Sequence, residues 1–412
     1  MSVWRLVRNK VLPHVVQLPA YGAYIQLRAA LRQAIETLRN NKLRLVSLTA
    51  PGPRKGCVLL AYMLEPFQLL PGQRVSHGHT NHWESLEMAQ AFLELGYDVD
   101  VINWDNYFFR PLNKSYAFAV DVRRNLERLT PLLNSDCVRI FHIDTAHILF
   151  HNAAESRRLL ELQQRKGVTI MPRRWERPNL GIEHAHCCTI LGGTFTQETY
   201  KYAGKQIYTL PMPSPFLYDW KEGADFGKIR RNFLWLGSGG LVHKGLDLVL
   251  DAFADMPDYQ LTICGPIERE TDFVQLYKRE LYELPNVRVI GWIDVASDEF
   301  KKLAFESLGV VYTSCSEGGG GSVIACMHAG LIPVVNRESS VDLTPANGVM
   351  LLDSTVASIQ HAVRNLAERS PEELEGMARQ AWATARATHT RENYAQRYRE
   401  VIRDIEKKYR KS

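Results

Sequence analysis

Short apolar runs alternate with amphipathic segments throughout the second half of the chain. Each run has the length and the aliphatic content of a buried strand, and each following segment repeats its apolar residues at helical spacing. This alternation predicts a parallel sheet with helices packed on its faces. The predicted strands cover 232–236, 260–264, 287–291, 310–313 and 332–335.

The first half of the chain shows the same pattern less regularly. Residues 57–64 form a predicted central strand, a polar loop follows, and a helix predicted at 85–95 leads into a strand at 98–103. Loops at the carboxyl ends of strands are where doubly wound sheets bind ligands. Further strands are predicted at 138–144, within 184–196 and at 205–210.

A glycine-rich stretch at 309–337 carries a ligand-binding signal. An apolar strand is followed by Glu317, by four glycines from Gly318 to Gly321, and by a small-residue helix. Glycines let the backbone approach a ligand, and the helix would offer unpaired amides and its positive dipole end to a phosphate. Glu317 would repel phosphate but could accept hydrogen bonds from sugar hydroxyls, which suggests a sugar nucleotide. A merely flexible connection is the alternative.

A second glycine turn lies upstream, within 232–253. An apolar strand runs into a Gly-Ser-Gly-Gly turn, which is followed by Lys244, Gly245 and an amphipathic helix. A lysine after a glycine turn is a common means of placing a positive charge on a diphosphate. A solvated lysine at a helix start is the alternative, although the helix dipole disfavours it.

Together these two segments resemble the donor half of the GT-B glycosyltransferases, in particular the large retaining family four. The family has a glycine-arginine turn, a lysine-glycine pair, and a glutamate-glycine motif that leads through a second glutamate to a glycine-x-proline strand. Lys244 matches the family lysine, Glu317 the first glutamate, Gly318 and Gly320 the glycines, and Pro333 the closing strand with one extra residue. The resemblance implies that Lys244 holds the donor diphosphate.

Two residues of the family pattern are missing from this chain. Ser238, Gly239 and Gly240 stand where the arginine is expected, and Ala325 stands at the position of the second glutamate. In the family the arginine helps to hold the diphosphate and the second glutamate contacts the ribose. The resemblance therefore implies either a rearranged donor site or a chain that has lost activity.

The resemblance also predicts the layout of the whole chain. We expect an α/β protein of GT-B architecture, with two doubly wound Rossmann-like domains facing a cleft and a C-terminal helix that crosses back to the first domain. Three prolines at 211–215 indicate the linker between the domains. The expected divisions are a basic segment at 1–46, an acceptor-side domain at 47–212, a linker at 213–230, a nucleotide-sugar-binding domain at 231–388 and the returning helix at 389–412.

Further site residues follow from the same resemblance. In family members, the loops after two strands of the second domain border the donor. The corresponding loops here follow 260–264 and 287–291 and contain Gly265 and Trp292. Core packing is the alternative role for Trp292. Family members also often carry a histidine at the end of a strand in the first domain. His142 matches this position best, and His147 is the second candidate. A structural role is the alternative for both histidines. The expected catalytic residues are Lys244, Glu317 and His142, and the expected donor-binding residues are Gly239, Gly240, Lys244, Gly265, Trp292, Glu317, Gly318, Gly319, Gly320, Gly321 and Ser322.

Histidine and cysteine residues cluster twice in the first half. His77, His79, His82 and Trp83 lie in the polar loop, as acceptor-side or interdomain contacts or as ordinary loop residues. At 184–196 two histidines and two cysteines suggest zinc, but neighbouring strand residues point to opposite faces and cannot converge on one ion, so a core strand with buried thiols is expected. No metal and no cofactor is expected besides a UDP- or GDP-sugar donor.

Composition and charge place the chain among large cytoplasmic enzymes. Its 412 residues, 45% of them hydrophobic, can bury two cores, and the seven scattered cysteines do not indicate disulfides. Residues 1–46 hold eight basic residues and one acidic residue, a net charge of +7, whereas the whole chain carries +5. A basic amphipathic helix predicted at 24–43 would lie on an anionic membrane surface or pack on the first domain. Nucleic-acid binding is not expected, because no recognition module accompanies the charge.

The sequence therefore predicts a retaining glycosyltransferase. It would move a sugar from a nucleotide-sugar donor to a sugar or lipid-linked glycan hydroxyl in polysaccharide or glycan biosynthesis. The expected location is the cytoplasm, with a peripheral position on the inner membrane face as an option. Two alternatives stay open, namely a non-catalytic GT-B homologue acting as an interaction subunit and a sugar-nucleotide epimerase of GT-B type.

Overall fold

The computed structural model describes residues 44–410 except 71, 74, 76–79 and 112. Two sheets form the described part of the chain, and helices cover both. The basic segment predicted at 1–46 lies outside the described residues apart from 44–46, and so do His77 and His79.

Seven strands of the described chain form the first sheet. They are β1 (Leu45–Leu48), β2 (Gly56–Tyr62), β3 (Tyr97–Asn103), β4 (Phe118–Asp121), β5 (Val138–Ile143), β6 (Cys187–Leu191) and β7 (Gln206–Leu210). Their spatial order is β1-β3-β2-β4-β5-β6-β7, and β1 pairs antiparallel with β3 while the other neighbours are parallel. The central strand β2 is buried from Cys57 to Tyr62, as expected where helices cover both faces of a parallel sheet.

The second sheet is entirely parallel in the described chain. Its strands are β8 (Asn232–Leu236), β9 (Gln260–Cys264), β10 (Val287–Gly291), β11 (Gly309–Tyr312), β12 (Ile332–Val335) and β13 (Val349–Met350). The order β10-β9-β8-β11-β12-β13 reverses direction between β8 and β11. Doubly wound sheets bind ligands beyond the carboxyl ends of the strands at such a switch point.

The helices flank these two sheets. In chain order they are α1 (Thr80–Glu94), α2 (Asn125–Leu129), α3 (Ile148–Lys166), α4 (Gly181–His184), α5 (Thr194–Thr199), α6 (Phe226–Ile229), α7 (Leu246–Ala254), α8 (Thr271–Leu276), α9 (Lys278–Tyr282), α10 (Asp298–Phe305), α11 (Gly321–His328), α12 (Val356–Ala367), α13 (Pro371–Thr388) and α14 (Arg391–Tyr409). Ser370 starts α13 with a capping box, because its hydroxyl accepts from the Glu373 amide while the Glu373 carboxylate accepts from the Ser370 amide.

The last helix, α14, crosses back to the first domain, as the sequence predicts. Its Asp404 accepts a hydrogen bond from Tyr208 on β7 at 2.7 Å, and its Glu406 accepts one from Tyr97 on β3 at 2.7 Å. Tyr394 on the same helix packs edge-on against Trp83 of α1. These contacts tie the end of the chain to the first sheet.

The remaining differences from the sequence prediction concern short elements. Strands β1, β4 and β13, of four, four and two residues, were not predicted from the sequence. Helix α1 begins at Thr80 rather than at Ser85. Within the described ranges, no helix has both the length and the apolar content needed to cross a bilayer.

Candidate functional site

A cavity of about 300 Å³ opens at the carboxyl edge of the second sheet, at the switch point between β8 and β11. Thr80 from the first domain and Pro215 from the interdomain connection contribute to its wall. The other described residues that line it are Leu236, Gly237, Ser238, Gly239, Lys244, Gly265, Pro266, Arg269, Trp292, Ile293, Val295, Tyr312, Glu317, Gly321, Ser322 and Ala325. Seven of the residues predicted to bind or process a donor therefore surround one cavity.

Lys244 and Glu317 form an ion pair in the floor of this cavity. The Lys244 Nζ lies 2.6 Å from Glu317 Oε1, and it also donates to the Tyr312 hydroxyl at 3.0 Å. Tyr312 and Ser314 donate to the same carboxylate oxygen at 2.8 Å each. Three donors thus converge on Glu317 Oε1 and fix the orientation of the carboxylate.

Burial and charge act against each other at this pair. Burial favours the neutral form of Glu317, but the charge of Lys244 and its hydrogen bond outweigh burial and lower the pKa of Glu317 to about 2. Burial also lowers the pKa of Lys244, and the Glu317 carboxylate limits that change. Burial and the neighbouring carboxylate raise the pKa of Tyr312 well above its ordinary value, so Tyr312 donates as a neutral phenol. We regard the pair as ionised at neutral pH.

The glycine run has two different surroundings. Helix α11 begins at Gly321, and Gly321 and Ser322 of its first turn line the cavity. A Cβ atom added to Gly318 would lie 1.9 Å from the Asp144 carbonyl oxygen, and one added to Gly319 would lie 2.2 Å from Met212. These two glycines therefore allow the second domain to pack closely against residues of the first domain and of the interdomain connection. Gly320 has a φ of +61° and faces Val341.

The turn after β8 contains an unpredicted carboxylate. The buried Glu270 accepts hydrogen bonds from the backbone amides of Gly240 and Leu241. Gly240 therefore lies behind the cavity wall, while Ser238 and Gly239 form its lining. The amides at 240–241 bind this internal carboxylate in the described structure.

Two arginines near the cavity were not predicted from the sequence. Arg269 lines the cavity from the loop after β9. Arg174 comes from the first domain and lies against the glycine turn, since a Cβ atom on Gly240 would be 2.4 Å from its Cγ. Its charge acts on both Lys244 and Glu317 and lowers their pKa values. Positive charge is thus present around the turn that lacks the family arginine.

Trp292 lies at the rim of the cavity, and its side chain is 60% exposed. Core packing therefore does not explain this residue, which was one of the two interpretations of the sequence. Gly265 lies beside it at the end of β9. The indole could cover a planar group that enters from solvent.

His142 lies in the core of the first domain and not in the cavity lining formed by the described residues. It is fully buried on β5, its Nδ1 lies 2.8 Å from the Thr189 hydroxyl, and Tyr62 packs edge-on against its ring. Burial lowers the pKa of His142 to about 4, so the ring is neutral at pH 7. His147 caps α3 and contacts Tyr202 through Nε2 at 3.1 Å.

The two histidine-containing clusters predicted in the first half of the chain have different surroundings in the structure. Cys187 and Cys188 are buried on β6, which confirms the expected core strand, and His186 contacts the Arg139 guanidinium. Trp83 packs between Tyr394 and Arg391 at the returning helix.

Solved structures with the same fold are glycosyltransferases of GT-B type. Sucrose-phosphate synthase from Thermosynechococcus elongatus matches with a TM-score of 0.58 and 12% identity over 85% of this chain and 99% of that chain. HepE from Anabaena in complex with UDP and glucose matches with a TM-score of 0.55 and 13% identity over 85% of this chain and 100% of that chain. No curated protein matches the sequence. The fold class is therefore GT-B.

One family model matches part of the second domain. Residues 226–382 match the family model of the glycosyl transferases group 1, and they contain the glycine turn after β8, the ion pair and helix α11. The second domain is therefore similar to the glycosyl transferases group 1, and it lies within a fold of GT-B type.

Proposed function

We propose that the protein transfers a sugar from a nucleotide-sugar donor to a hydroxyl of a sugar or lipid-linked glycan, with retention of anomeric configuration, in polysaccharide or glycan biosynthesis. The observation that carries this proposal is the convergence of Lys244, Glu317 and the N-terminus of α11 on one cavity at the switch point. A UDP- or GDP-sugar is the donor we favour. HepE, which shares the fold, has been crystallised with UDP and glucose.

The leaving group explains why cations surround the cavity. Departure of a nucleoside diphosphate builds negative charge on the leaving oxygen, and fixed donors stabilise such charge best in a site with little water. Lys244, Arg269 and the first turn of α11 line the cavity, and Arg174 approaches from the first domain. In this proposal, Arg174 and Arg269 supply the charge of the missing family arginine.

Donor binding would replace the contact between Lys244 and Glu317 by contacts of each residue with the donor. A diphosphate competes for Lys244, and sugar hydroxyls can donate to Glu317 while Tyr312 and Ser314 continue to hold its carboxylate. The pair keeps both charges buried and neutralised until a ligand replaces each partner, because an unpaired buried charge is costly. Glu317 would then orient the sugar for attack.

Retention is proposed through departure and attack on the same face of the sugar. A double displacement needs a carboxylate nucleophile at the anomeric carbon. Glu317 is the carboxylate of the cavity lining in the described chain, and Lys244, Tyr312 and Ser314 occupy its Oε1. We assign Glu317 to orientation. His142 would act only if the first domain opened to expose it, so we place it as a neutral residue that supports β5.

The location is proposed as cytoplasmic, with attachment to an anionic membrane through the basic residues at 1–46. Cosedimentation of the full chain and of a chain lacking 1–43 with anionic vesicles tests the attachment. Equal binding by the two chains would contradict it.

Transfer itself is tested by measuring nucleoside diphosphate release from UDP- and GDP-sugars in the presence of glycan and lipid-linked acceptors. Proton NMR of the product reports the anomeric configuration. We expect release with one donor, retention in the product, and a loss of at least a hundredfold in turnover in Lys244→Ala, whereas the exposed Lys301→Ala on α10 retains full turnover. A folded wild-type chain that binds nucleotide but transfers no sugar to any acceptor would favour an interaction subunit, and interconversion of the donor sugar would favour an epimerase.

A further inference from the structure

A cluster of nitrogen, oxygen and sulfur ligands lies buried between the two domains. His151 and Glu155 are one turn apart on α3 of the first domain. His243 and Cys315 come from the second domain, in the loops after β8 and β11. All four side chains are buried, with exposed fractions of 6% or less.

The ligand atoms of this cluster face one another. The His243 Nδ1 lies 4.0 Å from Glu155 Oε2 and 3.4 Å from Cys315 Sγ. One ligand atom each from His151, Glu155 and His243 lies within 4.8 Å of the other two. Ligands bound at about 2.0–2.3 Å around a tetrahedral ion are roughly 3.3–3.8 Å apart, so these three atoms would draw together by about 1 Å on binding, with Cys315 joining them from beside His243.

Backbone carbonyls orient both imidazole rings. His151 Nε2 donates to the Arg174 carbonyl at 2.6 Å, and His243 Nε2 donates to the Ser316 carbonyl at 2.7 Å. Because each Nε2 carries the proton, the Nδ1 lone pair of each neutral ring is left for another partner. The hydroxyls of Ser316 and Thr145 lie 3.1 Å and 3.3 Å from His151 Nδ1. Such an arrangement, with Nε2–H on a carbonyl, is common for metal-binding histidines.

The carboxylate of Glu155 also points to a bound cation. Its Oε1 accepts hydrogen bonds from the amides of Arg173 and Arg174 at 2.8 Å and 2.9 Å. Its Oε2 is buried and has no hydrogen-bond partner among the described residues. A buried carboxylate oxygen without a partner is costly, and its distance to His243 is too long for a hydrogen bond. A positive ion at this point would satisfy it.

We propose that His151, Glu155, His243 and Cys315 bind one zinc ion that joins the two domains. Two imidazoles, a carboxylate and a thiol favour zinc over magnesium or calcium, which prefer oxygen ligands. The Cys315 thiol would release its proton on binding. No metal was expected from the sequence, since the GT-B enzymes it resembles do not generally require one, and the pair on α3 is the only regular spacing in this set.

The proposed ion has a structural consequence for the candidate active site. His243 is adjacent to Lys244, and Cys315 is two residues before Glu317, so a metal at the cluster would fix both loops of the ion pair against α3. None of the four proposed ligands lines the candidate active-site cavity. The ion would hold the domains together rather than activate substrate.

The test measures metal in the full chain purified without chelator. We expect about one zinc per chain by elemental analysis, and a chelator-stripped chain that takes up Co²⁺ with visible absorption and a thiolate-to-cobalt band in the near ultraviolet. Glu155→Gln keeps the acceptor for the two arginine amides and should weaken zinc binding at least tenfold. Cys315→Ser should remove the thiolate band. Cys137→Ser changes a buried thiol of the first domain and serves as the matched control, with unchanged metal content.

Two results would overturn the proposal. One is a wild-type chain that contains no zinc and takes up neither Zn²⁺ nor Co²⁺. The other is a metal content that Glu155→Gln or Cys315→Ser leaves unchanged. If Glu155→Gln fails to fold by circular dichroism, the cobalt spectrum of Cys315→Ser decides the question.

Discussion

The Nζ of Lys244 and the Oε1 of Glu317 are 2.6 Å apart, although 73 positions separate the two residues in the sequence. This ion pair closes the floor of the cavity at the switch point of the second sheet. Each partner neutralises a charge that would otherwise be buried alone. The stability of the fold and the affinity for a donor are therefore linked at this pair.

Removing one partner should destabilise the chain more than replacing both. Lys244→Met leaves Glu317 without its cation, and we expect a loss of roughly 3 kcal/mol in the free energy of unfolding. The double variant Lys244→Met/Glu317→Leu should recover most of this loss, because no charge remains buried. Denaturant unfolding of Lys244→Met, Glu317→Leu and the double variant measures the coupling free energy between the two side chains. Additive losses would contradict the pairing.

A side chain at Gly318 should disturb the interdomain contact. The added Cβ of Gly318→Ala would lie 1.9 Å from the Asp144 carbonyl oxygen, so the domains must shift. We expect a loss of roughly 1–3 kcal/mol in stability and a larger radius of gyration in X-ray scattering. Gly376→Ala on α13 is the matched control, since nothing lies within 4 Å of its added Cβ and a helical alanine should stabilise by about 0.5–1 kcal/mol. Equal stability of Gly318→Ala and wild type would show that the contact is not close.

Trp292 should contribute to donor affinity without supporting the core. Because the side chain is 60% exposed at the cavity rim, Trp292→Ala should leave the melting temperature nearly unchanged. Loss of stacking on a nucleotide base should cost roughly 1–3 kcal/mol of binding free energy, which calorimetry can measure. Tyr282→Ala, at an exposed aromatic away from this lining, is the control. Unchanged affinity in Trp292→Ala would remove the residue from the donor site.

Lys221 should make stability depend on pH above neutrality. Its Nζ donates to the Ser307 carbonyl at 3.0 Å, and burial lowers its pKa to about 7. Between pH 7 and about 10 the unfolded chain binds a proton there that the folded chain does not, so stability should rise with pH by up to about 1.4 kcal/mol per unit. Lys221→Met should flatten this rise and stabilise the protein at pH 7. The same slope in both proteins would contradict the assignment.

The sequence predicts the second sheet well and the interdomain contacts poorly. Strands β8, β9, β10 and β12 have the predicted bounds and β11 differs by one residue, because each is an apolar run ended by a turn signal. Arg174 could not be predicted at the site, since its position depends on how the first domain packs against Gly240. The same reason applies to the cluster of His151 with His243. Local periodicity does not encode contacts between distant segments.

The measurement that tests the central claim most directly is the thermal stabilisation of the full chain by UDP, GDP, ADP and their sugars. Wild type, Lys244→Ala and the control Lys301→Ala are each compared with their own ligand-free melting temperature, so a lower starting stability of Lys244→Ala does not enter the comparison. We expect one nucleotide class to stabilise wild type and Lys301→Ala and to have no effect on Lys244→Ala. Stabilisation by none of the nucleotides, or equal stabilisation of Lys244→Ala, would contradict a donor site built on this lysine.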